Sequence, residues 1–209
     1  MTAAERGVDT TSVAPAVNGR SARKAATRDA IADALLDLVT EGSLRPTAKE
    51  IAARAGVSLR SVYVHFDDLE DLFCVAARRQ FDRVAPARAP ADDEGPLRTR
   101  AEAVVRRRAR LFEDFGPIRR ATELQAPFSP TLRRLVHNAH AQGRKELARV
   151  FAPELEGLPP AERRRALAVI DALATGATWD LLREHHTLSP RDAQRTLADA
   201  LVAQLESCR

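Results

Sequence analysis

Residues 47–66, TAKEIAARAGVSLRSVYVHF, leave the chain least freedom. Ile51, Ala52 and Ala55 recur at i, i+1 and i+4, the apolar stripe of a short helix. Thr47 stands where an N-cap belongs, and Glu50 three residues on completes the pattern of a capping box. Gly56 follows the last apolar position, where a helix commonly ends in a left-handed residue that glycine adopts without steric cost. Ser58 is the next N-cap, and Val62 and Phe66 space a second short helix. Two such helices around a tight glycine turn make a helix-turn-helix, a motif whose second helix can enter a DNA major groove.

The second helix sorts its residues by face. Val62 and Phe66 point inward, which leaves Ser58, Leu59, Arg60, Ser61, Tyr63 and His65 for solvent or a ligand. A guanidinium near a helix N-terminus opposes the macrodipole, so Arg60 makes better sense facing phosphates or a guanine edge. A bidentate contact to guanine contributes about 1–3 kcal/mol of discrimination.

Four spaced submotifs, Ile51-Ala52, Ala55-Gly56-Val57-Ser58, Ser61-Val62-Tyr63 and His65-Phe66, resemble the DNA-binding domain of the TetR family of bacterial transcription regulators. The resemblance is densest over residues 28–81 and continues beyond them in helix lengths rather than motif. It implies an all-α fold: an N-terminal three-helix helix-turn-helix domain followed by a C-terminal helical ligand-binding and dimerisation bundle. It also implies that Tyr63 and His65 face the DNA backbone, that Lys49 is a basic contact and Thr47 a further DNA-binding candidate, and that Leu59 meets bases, here through apolar contact alone. The family usually carries a lysine where this chain has Leu69, within the acids Asp67, Asp68, Glu70 and Asp71, so one phosphate contact is expected to be missing.

Along the chain, residues 1–22 show no apolar period and end in a basic cluster, Arg20, Arg23, Lys24 and Arg28; they are expected to form a disordered arm. Residues 23–83 hold the helix-turn-helix domain, whose first helix spans 27–40 with Ile31, Ala34, Leu35, Leu38 and Val39 inward. The text PARAPADDEGP marks a linker over 84–96, and residues 97–209 form the C-terminal domain. Helices are expected there at 97–115, 129–151, 160–186 and 189–207, with a short piece at 118–125, punctuated by prolines.

The last two of these helices carry apolar stripes that include Ile170, Ala174, Ala177 and Leu181, and Leu197, Leu201 and Leu205. The resemblance implies that they pair with their copies in a homodimer, with Gly176 among the small residues that permit close approach. Periodicity alone leaves open that both stripes are used inside one subunit. A ligand pocket is likewise implied, with Arg108, Phe112, His140 and Trp179 as lining candidates and a small hydrophobic or aromatic effector as its occupant.

The 209 residues are 44% hydrophobic and 30% charged, which permits a real core, and only 4% aromatic, so that core must be aliphatic. A net charge of +4 is compatible with a polyanionic partner without establishing one. Cys74 and Cys208 lie far apart with no metal-ligand spacing around them, as suits a reducing cytoplasm. The first twenty residues contain acids and no continuous apolar run, so no signal peptide is expected, and no stretch reaches the roughly 18 uncharged apolar residues that a membrane span would need. No Gly-rich phosphate loop, GxSxG or HExxH occurs, and His137 and His140 lack a third ligand; neither an enzyme, a metal nor a cofactor is expected.

The resulting expectation is a dimeric, effector-released repressor on a palindromic operator in double-stranded DNA. Two other readings stay open: a ligand-independent DNA-binding module, and a helical interaction or enzymatic protein on the same scaffold with DNA binding lost.

Overall fold

Helix formation in this chain follows its caps and its aliphatic stripes. The computed structural model describes residues 19–84 and 94–208, so the arm's residues 1–18 and the linker's residues 85–93 lie outside the described residues. Ten α-helices follow one another there: α1 (Gly19–Thr40), α2 (Ala48–Ala55), α3 (Leu59–His65), α4 (Leu69–Val84), α5 (Leu97–Gln125), α6 (Pro130–Val150), α7 (Ala152–Leu155), α8 (Pro160–Leu173), α9 (Gly176–Asp180) and α10 (Pro190–Glu206). No strand occurs among the described residues, and no helix there is long and apolar enough to cross a membrane.

Two aliphatic clusters organise the bundle. The lower one joins Ile31, Leu35 and Val39 of α1, Ile51 of α2, Val62 of α3 and Leu72 and Phe73 of α4. It continues into Ile118 and Ala121 of α5 and Leu132 of α6. The upper one joins Ala101, Val104 and Val105 of α5 with Leu147 and Phe151, Ile170 of α8, Trp179 of α9 and Leu197 and Leu201 of α10. α5 belongs to both.

Four expectations change. Helix one begins at Gly19 rather than Thr27. Its first turns are rich in Ala, Arg and Lys, good helix formers, yet residues 21–26 are exposed on every side, so no apolar period announces them. Residues 97–125 form one helix, not two: Pro117 lies inside α5. It removes one backbone donor, but burial of Ile118 and Ala121 just beyond it carries the helix on.

The expected helix 160–186 is instead divided. α8 stops at Leu173, Thr175 is extended (φ −87°, ψ 160°) and caps α9 by accepting from the Thr178 amide, and a π-helical stretch follows at Leu181–His185. Arg108 stabilises the break by donating to the Ala174 carbonyl at 2.6 Å.

Finally, Ile170, Ala174, Leu197, Leu201 and Leu205 are buried within this one subunit, not on a face left for a partner. Stripe periodicity identifies a buried face without saying what buries it. Ala177 and Leu181 are exposed. Gly176 does meet a close neighbour, but it is Arg119 of the same chain, whose guanidinium carbon would lie 2.6 Å from an added Cβ.

Candidate nucleic-acid interface

The α2–α3 hairpin is assembled almost wholly from local contacts. The Thr47 hydroxyl accepts from the Glu50 amide at 3.3 Å, while the Thr47 amide donates to the Glu50 carboxylate at 2.7 Å. Those donors, the Thr47 amide first and its hydroxyl second, hold the Glu50 carboxyl below its ordinary range. At the other end of α2, Gly56 adopts φ 66°, and the Val57 amide returns to the Ala52 carbonyl at 3.0 Å. Ser58 then caps α3 by accepting from the Ser61 amide at 3.1 Å. Thr47 and Ser58 therefore have their oxygens engaged in capping.

Val62 and Phe66 are buried and anchor α3 to the lower cluster. At about 100° per residue, Leu59, Arg60, Tyr63 and Val64 then occupy one contiguous outward arc. Leu59 is 45% exposed, Tyr63 55% and Val64 63%, high values for apolar side chains. Arg60 is exposed and forms no ion pair among the described residues. Lys49, exposed near the start of α2, is equally unpaired there. Ser61 and His65 are half-buried at the edges of the arc, and His65 Nδ1 lacks a hydrogen-bond partner among the described residues.

One group that fixes this arrangement escaped the sequence reading in its role. Arg28, read there as part of a basic cluster ending the arm, turns back onto α3. Its Nη1 donates to the His65 carbonyl at 3.2 Å, its guanidinium lies 4.6 Å from the centre of the Phe66 ring, and Nη2 is 3.6 Å from Asp71. Nothing local announces a contact across 37 positions. Val64 was also passed over, although i+4 spacing from Arg60 places it on the outward arc.

Two of the acids after α3, Asp68 and Asp71, have structural roles. Asp68 caps α4, accepting from the Asp71 amide at 2.8 Å. Leu69 is half-buried against the lower cluster. Cys74 is half-buried too; burial first, then Asp71, Glu70 and Asp68, push its thiol above the ordinary range, which fits a packing role.

The candidates for a ligand site divide. Arg108 is buried and donates to the Ala174 and Gly143 carbonyls, with Glu146 at 3.3 Å. Its burial, offset in part by Glu146, lowers its pKa from the usual guanidinium value. Trp179 is buried, and its indole donates to Glu113 at 3.0 Å. Phe112 is half-buried against the same upper cluster. His140 is exposed on α6 and is not buried with the other three.

No family model matches the sequence, and no curated protein matches it at a significant level. Solved structures do match the fold. A TetR-family transcriptional regulator from Streptomyces coelicolor superposes with a TM-score of 0.70 at 22% identity, over 88% of this chain and 82% of that one. A transcriptional regulator from Rhodococcus sp. Rha1 gives 0.68 at 22% identity, over 86% and 96%. A regulator from Saccharomonospora viridis, solved in complex with choline, gives 0.65 at 20% identity, over 84% and 95%. With its capped helix-turn-helix under a helical bundle, the chain has the fold of the TetR-family transcriptional regulators.

Proposed function

We propose that this chain is a TetR-type transcription regulator that binds a palindromic operator as a homodimer through α3. The observation that carries this reading is the outward arc of Leu59, Arg60, Tyr63 and Val64 on a helix anchored by buried Val62 and Phe66. In this reading Arg60 meets a base edge or phosphate, Leu59 and Val64 offer apolar contact to thymine methyls, and Tyr63, His65 and Lys49 hold phosphates. Arg23 and Lys24, exposed on the first turns of α1, supply further cations beside the docked helix.

A two-fold molecule would present its recognition helices about 34–36 Å apart, matching half-sites one turn apart. Because the predicted stripes are buried, the pairing face is assigned to the exposed small and apolar residues Ala168, Val169 and Ala172 of α8, Leu181, and Ala203 of α10. The effector-released repressor is the mechanism proposed, with a small hydrophobic or aromatic molecule entering near Arg108, Phe112 and Trp179; that a structural neighbour was solved in complex with choline is in keeping with a small-molecule ligand. Full engagement of Arg108 and Trp179 in internal contacts favours a second reading, a ligand-independent DNA-binding module.

Selection of bound fragments from random DNA with the purified chain tests the proposal. An inverted repeat is expected. Arg60→Ala should relax specificity at one position per half-site, and Tyr63→Phe should weaken binding to all sequences. Failure to retain any duplex at low ionic strength would overturn it.

A further inference from the structure

The outer groove between the first half of α5 and the start of α10 collects guanidinium groups. Arg98 and Arg106 rise from α5 with Glu102 between them, and Arg191 and Arg195 face them from α10. Together with Gln194 and buried Ala198 they line a cleft of about 400 Å³. Its lining thus sets four arginines against one carboxylate.

Only one of the four is neutralised. Arg98 lies 2.6 Å from Asp199 and 3.8 Å from Glu102. Arg106, Arg191 and Arg195 form no ion pair among the described residues. Like charges gathered on one concave surface repel one another, and packing does not require them. Ala101, Val105, Leu197 and Leu201 beneath already join the two helices.

We infer that this cleft binds a small polyanion, a molecule carrying at least two phosphate or carboxylate groups. Arginine forks match the geometry of both groups, taking two oxygens at once. The volume of this half-open groove is at the lower end of what small-molecule sites show, about 300–1,000 Å³. Gln194 adds an amide for a neutral hydrogen-bonding part of the molecule. The inference holds whether or not α3 reads DNA.

Isothermal titration of the full chain with inorganic pyrophosphate and with citrate, at low salt and without divalent cations, is the test. Saturable sub-millimolar binding of at least one probe is expected, weakening as salt is raised. Pyrophosphate alone would indicate a phosphate ester, citrate alone a polycarboxylate. The exposed pair Arg106→Ala/Arg195→Ala should weaken binding at least about tenfold, whereas Arg110→Ala, exposed on the next turn of α5 outside the cleft, should leave it unchanged. The absence of saturable binding by both probes would overturn the inference. So would equal weakening by Arg110→Ala, which would mean a diffuse positive field rather than a site.

Discussion

Arg28 offers a sharp test of how the recognition helix is held. As part of a basic cluster beside α3 it would be a phosphate ligand; as the structure places it, it is a clamp. Its hydrogen bond to the His65 carbonyl is worth about 1 kcal/mol after discounting for a side chain 42% exposed. Stacking on Phe66 adds about 0.5–1 kcal/mol, and the 3.6 Å pair with Asp71 adds roughly 0–0.5 kcal/mol. Arg28→Ala should therefore lower stability by about 2 kcal/mol in urea unfolding. DNA affinity should fall too, because a looser α3 docks less often. The two roles separate in the salt dependence. A phosphate ligand, once removed, shrinks the slope of log K against log salt by about 0.9 per contact, whereas a clamp leaves the slope alone. Arg28→Lys keeps the charge but loses the planar fork and its stacking, so it should behave like the alanine variant. A reduced slope with unchanged stability, or rescue by lysine, would refute the clamp.

Three further outcomes follow from the same contacts. Leu35 is fully buried in the lower cluster, and Leu35→Ala should cost about 2–5 kcal/mol, read as a lower urea midpoint. Asp33 ties α1 to α4 through Arg79 at 2.8 Å and Arg83 at 2.5 Å. Burial pushes its carboxyl up, but the Arg79 hydrogen bond and the charges of Arg83 and Arg79 outweigh it, so its pKa lies below the ordinary aspartate value. A depressed carboxylate stabilises the fold above its unfolded pKa and loses that contribution as pH falls through the folded one. Stability should therefore drop below roughly pH 4, and Asp33→Asn should flatten that part of the pH profile of the urea midpoint. Glu154 is buried and accepts both arms of buried Arg100, at 2.5 and 3.0 Å. Glu154→Ala should cost about 3–5 kcal/mol, and Arg100→Met/Glu154→Met should recover most of it, since breaking a buried pair is worse than removing it. An equally unstable double variant would contradict that account.

What could be read from the sequence was what neighbouring residues decide among themselves. The α2–α3 hairpin needs only Thr47, Glu50, Gly56 and Ser58, all within a dozen positions, and each takes the role its type and spacing suggest. Where the outcome depended on distant packing, local signals misled. Pro117 should have ended a helix and did not, because Ile118 and Ala121 are held by residues far away in the chain. Thr175 looked helical inside a long stripe, yet the Ala174 carbonyl bonds to Arg108, 66 positions earlier, and the helix breaks there. The same limit governs the site. The outward arc of α3 follows from its buried residues, but the anchoring by Arg28 and the cleft of Arg106 and Arg195 exist only once separate helices are brought together.

The lower cluster also bears on whether the DNA-reading part can stand alone. Residues 23–83 look like a domain by motif, but their core is closed by side chains from beyond residue 96. Ile118 and Leu132 are each 1% exposed, and Ala121 and Ala126 are buried beside them. Burying two large aliphatic side chains and two methyl groups contributes roughly 5–8 kcal/mol. That is comparable with the whole net stability of a small domain, about 5–15 kcal/mol. A fragment of residues 19–84 should accordingly lose most of its helical circular dichroism, or melt at a far lower urea concentration than the full chain. A fragment with a cooperative transition at the full chain's midpoint would show that α5 and α6 merely rest on the helix-turn-helix. If the fragment fails to fold, the floor of the DNA-reading domain is made of α5 and α6. Any molecule that shifts either helix then acts on the support of α3 directly, with no separate relay between the two parts.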